Sequence, residues 1–139
     1  MTRRGQQAKR ELRRAQREVG EQLQSDHGAY EPPPRDDCVL RDWETPYDDA
    51  NTVRIQFLLW KQGGVLVDFV VNVQELASEG WTTVEHFDCC HGHCHLHPQS
   101  GVEPESITRL DEVADVQRAF SAVAHEADER ARIIRGKGG

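Results

Sequence analysis

The chain lacks any long apolar run: nowhere do its 139 residues approach the ~18 consecutive apolar side chains that a membrane span needs. Its basic start is not followed by an apolar stretch, so it does not read as a secretory leader. Apolar residues are scarce, 37% of the total with a mean hydropathy of −0.73, and they concentrate between Val53 and Leu96 and between Leu110 and Ile134. The four cysteines (Cys38, Cys89, Cys90, Cys94) include no C-x-x-C pair, which excludes thioredoxin-type and zinc-ribbon spacing. These absences set an expectation of one small cytoplasmic domain with reduced thiols and no membrane partner.

Charge is segregated along the chain. Residues 1–25 hold seven Lys/Arg against three Glu, a local +4 in a protein of net charge −7. The remaining body is therefore −11, which argues against a large nucleic-acid groove, while the basic arm keeps an RNA contact open. That arm interleaves no aromatics for base stacking, so a solvated extension is its plainer reading.

Residues 1–24 favour helix, with Ala8, Leu12, Ala15, Val19 and Leu23 at three- or four-residue steps. Residues 25–50, containing Pro32-Pro33-Pro34 and many acids, read as an extended linker. A domain over 51–136 and a tail at 137–139 follow. Val53, Ile55, Phe57 and Leu59 alternate as a half-buried strand, and Gly63-Gly64 supplies a turn. Val65, Val67, Phe69, Val71 and Val73 make a second strand. Trp81 to Cys89 makes a third, whose irregular alternation is consistent with a bulge, and His93 to His97 a short fourth. After a Pro/Gly loop, a helix is expected from about Arg109 to Arg135, with Thr108 and Asp111 as capping pair. Its stripe of Val113, Val116, Phe120, Val123, Ala127 and Ile134 reads as core or as a homodimer contact. The expected fold is α+β: an antiparallel meander of about four strands packed on a long C-terminal helix, preceded by the basic helical extension.

Residues 86–97 carry five of the seven histidines. If His91-Gly92 is a two-residue turn, His86 falls opposite His97, Asp88 opposite His95, Cys89 opposite Cys94 and Cys90 opposite His93. Phe87, Cys89, Cys94 and Leu96 then share one face. The other collects His86, Asp88, Cys90, His93, His95 and His97, with Arg54, Gln56, Asp68 and Asn72 pointing the same way.

Two chemistries suit such a face. A carboxylate beside an imidazole orients the ring for acid–base work, which makes Asp88, His91 and His95 candidate catalytic residues, with Arg54, Asp68 and His86 as candidate substrate-binding groups. His-x-His on a strand instead points to a divalent metal such as zinc, with His93, His95, His97 and Cys90 as candidate ligands. The plain alternatives are a cross-strand ion pair and a solvated polar face. Cys89 and Cys94 read as small core residues.

Residues 80–97 also resemble a small bacterial and phage domain family in which a strand ends in R-Y-D-x-x-H-G-x-x-H. That pattern is similar to the motif of TumE-type toxins from toxin–antitoxin systems. Trp81 matches the aromatic start, and Asp88, His91, Gly92 and His95 match D-x-x-H-G-x-x-H. His86 stands where the pattern has Arg, and Phe87 where it has Tyr. The resemblance implies a meander-plus-helix domain with a toxin-like, RNA-directed function and an antitoxin-like protein partner. Three classes of function follow: an RNA-acting enzyme, a divalent-metal module and a non-catalytic interaction domain.

Overall fold

The computed structural model describes residues 28–89, 92–98 and 105–138. Among them, six strands form one antiparallel sheet in sequential order: β1 (Val39–Pro46), β2 (Val53–Gln62), β3 (Val65–Ala77), β4 (Gly80–Cys89), β5 (His93–His97) and β6 (Glu105–Arg109). A single long helix, α1 (Val113–Gly138), follows. The expected α+β class and the meander-on-helix arrangement hold.

The strands form where side chains alternate. In β2, Val53, Ile55, Phe57 and Leu59 are buried while Arg54, Gln56 and Leu58 are half-buried. Gly63 and Gly64 both take positive φ, +60° and +80°, the backbone that a tight two-residue hairpin needs. Phe69, Val71 and Val73 of β3 are fully buried and form the centre of the sheet. Each such side chain contributes about 1.5–3 kcal/mol by leaving water.

The helix covers this face with Val116, Ala119, Val123, Ala127, Ala131 and Ile134, all buried. Alanines at three of these six positions let the helix sit close to the valines of β3. Phe120 sets its ring edge against both Phe57 and Phe69, at 6.0 and 5.4 Å between centroids. Val113, expected in the stripe, is 40% exposed at the first turn.

Four expectations need correction. The supposed linker contains a short 3-10 turn (Arg35–Asp37) and all of β1. β1 is exposed along its length, so no burial period marks it in the sequence. The sheet has six strands rather than four, because β1 lies in the supposed linker and β6 where a loop was expected. The helix begins at Val113, not Arg109, since residues 105–109 pair with β5. Its cap differs as well. The Asp115 carboxylate accepts the N–H groups of Asp111 and Glu112, while Asp111 accepts from Ala29 N–H and the Arg109 guanidinium. The expected bulge in β4 is present: Glu85 pairs with Val73 and Thr83 with Gln74, leaving Val84 extra. The basic extension of residues 1–24 lies outside the described residues.

Candidate functional site

The site is built by the β4–β5 hairpin. Its pairing matches the sequence register: His86 with His97, Phe87 with Leu96, Asp88 with His95 and Cys89 with Cys94. Alternation sends Phe87, Cys89, Cys94 and Leu96 into the core beneath the helix, all buried. His86, Asp88, His95 and His97 stand on the opposite face. Gly92, just before β5, has φ +81°, and its carbonyl accepts N–H groups from both Gly28 and Leu110 at 2.8 Å. The hairpin is thereby tied to the segment before β1 and to the end of β6.

Asp88 is the centre of the cluster. Its Oδ1 lies 3.2 Å from His97 Nε2 and 3.9 Å from His95 Nδ1, and its Oδ2 lies 3.8 Å from His86 Nε2. The rings of His86 and His97 stack at 4.2 Å with 9° between planes. His95 contacts His93 at 3.8 Å between centroids, and His93 is buried. One ligand atom from each of His86, Asp88 and His97 falls within 4.8 Å of the others. Side-chain exposures of 39%, 28% and 34% leave this trio open to solvent on one side. Burial, with a smaller effect from His97, pushes the His86 pKa below its ordinary value, against the pull of Asp88. The neutral ring that results offers a lone pair at neutral pH.

The other candidate residues are placed apart from that centre. Arg54 donates from Nε to Gln74 Oε1 at 2.7 Å and lies over the Trp81 ring at 4.2 Å. It shares the sheet face with the cluster but belongs to a different row, paired with Pro46 and Gln74, while His86 pairs with Asn72 and His97. Asp68 also faces this side, yet it is 3% exposed and held by Arg35 at 2.9 Å. Burial raises its pKa, opposed by the Arg35 hydrogen bond and charge. Cys90 and His91 lie outside the described residues. Cys89 and Cys94 are free, buried thiols, and the contact with Cys94 together with burial pushes the Cys89 thiol well up.

Sequence reasoning missed the groups that hold Asp68. Arg35 stacks its guanidinium on Trp60 at 3.9 Å while bonding Asp68, and Tyr30 donates its hydroxyl to the Val67 carbonyl at 2.6 Å. An aspartate inside the apolar run Leu66–Phe69 signals that some cation must reach it. Nothing in the sequence says that the cation comes from the proline-rich stretch.

Fold and site together define a sheet-and-helix α+β domain carrying a histidine–aspartate cluster on the sheet face away from the helix. No protein-family model, curated protein or solved structure matches the chain. No helix among the described residues is long and apolar enough to cross a membrane.

Proposed function

We propose that this domain binds a divalent transition metal through His86, Asp88 and His97. The observation that carries this reading is the convergence of two imidazole nitrogens and a carboxylate oxygen within 4.8 Å. Ligands at about 2.0–2.2 Å from a common ion stand about 3–3.5 Å apart from one another. The His97–Asp88 distance of 3.2 Å already fits, while the His86–Asp88 distance of 3.8 Å must close and one of the two stacked rings must turn so that both lone pairs meet at one ion. Two imidazoles with one carboxylate suit zinc, iron(II), cobalt or nickel rather than calcium or magnesium, which prefer oxygen alone. Three protein ligands on one side leave coordination positions for water or a substrate, as catalytic sites do and closed structural sites do not. His95, 3.9 Å from Asp88, would then serve to move a proton.

Metal content of untagged protein, purified without chelator, tests this. About one zinc, iron, cobalt or nickel per chain, lost in His97→Ala, is the expected result. A folded protein that neither carries nor takes up any of these ions at micromolar concentration overturns it.

A second reading is a metal-free acid–base site acting on RNA; the toxin-like resemblance implies this function through Asp88, His91 and His95, and the 3.2 Å contact makes His97 the nearer partner of Asp88. In that case Asp88→Asn and His97→Ala abolish RNA cleavage in protein shown to be free of metal.

A further inference from the structure

A second concave site lies on the other face of the sheet, beyond the edge of the helix. Arg41 and Trp43 of β1, with Leu59 and Lys61 of β2, line a recess of about 300 Å³, at the lower end of the range for small-molecule sites. The helix reaches β2 through Phe120 but leaves β1 uncovered. Trp43 stacks one ring face on Phe57 at 4.9 Å and 18°, and Phe57 is braced in turn by Phe120. Trp43 remains 38% exposed, so a fixed aromatic platform is presented to solvent.

Two cations lie to one side of that platform along the strands. In the register, Arg41 pairs with Leu59 and Val39 with Lys61, which sets Arg41 and Lys61 on one face as diagonal neighbours. Among the described residues neither is in an ion pair. The acids of β1, Asp42 and Glu44, alternate to the opposite face. Arg41 stands two residues from Trp43, about 7 Å along the strand, a separation matching that of base and phosphate in one nucleotide.

We propose that this ledge binds a single nucleotide unit, with its base stacked on Trp43 and its phosphate held between Arg41 and Lys61. Stacking on an aromatic face tolerates any base, and a guanidinium beside an ammonium matches a phosphate. The acidic remainder of the body, −11 outside residues 1–25, opposes a long polyanion track and favours one unit over an extended strand. The site is independent of the histidine cluster, because β1 and β2 supply all its residues.

Calorimetric titration of the full chain with adenosine 5′-monophosphate, adenosine and a ten-nucleotide single-stranded oligoadenylate tests the proposal. Saturable binding of the monophosphate is expected, about tenfold weaker for adenosine and for Arg41→Ala/Lys61→Ala, and about tenfold weaker for Trp43→Ala. His97→Ala should bind as the unaltered protein does, which separates this site from the metal reading. Equal affinity per site for monophosphate and oligomer identifies a free nucleotide as the source. Tighter, strongly salt-dependent binding of the oligomer reveals a track of several phosphate contacts and overturns the single-unit proposal. Adenosine binding as well as its phosphate, binding unmoved by these substitutions, or no binding at millimolar concentration overturns it.

Discussion

Arg130 of α1 grips Glu85 of β4 with two parallel bonds, Nε to Oε1 at 2.6 Å and the second guanidinium nitrogen to Oε2 at 2.7 Å. Glu85 is 1% exposed and sits on the core face, one residue from the metal-site candidate His86. A buried carboxylate deprived of its cation is left with an uncompensated charge, whereas removing both charges removes the desolvation cost as well. Arg130→Met should therefore destabilise by about 3 kcal/mol, at the lower end of the range for such breaks because Arg130 is 23% exposed. Glu85→Leu/Arg130→Met should recover most of that loss. Urea unfolding of the three proteins measures it, and a double variant no more stable than the single one contradicts the argument.

The same pair shows where sequence reading stops. The strands β2 and β3 were legible because one side of each is buried under the helix and the other is not, so apolar residues recur at every second position. The site face was legible for the same reason, since ionisable residues take the alternate positions of β4 and β5. β1 gave no such signal, because Val39, Leu40 and Trp43 are exposed and neither of its faces is core. Arg130 falls among the sheet-facing residues of the helix, where only apolar residues were expected. The closest partner of Asp88 was also hidden. His95 is directly opposite, yet His97 lies nearer, 3.2 against 3.9 Å, because side-chain rotamers and sheet twist bring a diagonal neighbour in.

That ordering predicts a hierarchy among the histidines. His86→Ala and His97→Ala each delete a ligand in the proposed site and should weaken zinc or nickel binding about 100-fold or more. His95→Ala removes a group beside Asp88 and should weaken it less, about 10-fold, as changes around a ligand set do. Competition titrations with a chromophoric chelator resolve the difference. If His95→Ala proved the most damaging, the ligand trio would have to be redrawn around His95.

Tyr30 gives a pH signature outside the site. Burial, followed by the charge of Asp68, pushes its phenol up to about 12, while its hydroxyl donates to Val67. A folded-state pKa above the unfolded value of about 10 means that the stabilisation is complete below pH 10. It is lost as pH rises from there through about 12. At neutral pH, Tyr30→Phe should cost about 1 kcal/mol, the worth of one hydrogen bond. The gap between the two proteins should shrink as pH rises above 10. Urea midpoints collected across that range test it, and a gap that widens with pH refutes the assignment.

Gly92 couples the hairpin to the rest of the fold more tightly than its turn alone requires. A Cβ built there would lie 2.2 Å from the Gly28 carbonyl oxygen, and the residue has φ +81°. Gly64 has a similar φ, +80°, with nothing within 4 Å of such a Cβ. Left-handed backbone costs an L-residue about 1–2 kcal/mol, so Gly64→Ala should lose that amount and no more. Gly92→Ala adds a backbone collision that only a shift of residue 28 or of the hairpin can relieve, so its loss should be larger by about 1–3 kcal/mol. Because β5 starts at the next residue, the shift should also move His95 and His97 relative to Asp88. Metal affinity in Gly92→Ala should then fall while Gly64→Ala keeps it. Equal stability losses in the two variants would show that the contact with Gly28 does not constrain the hairpin.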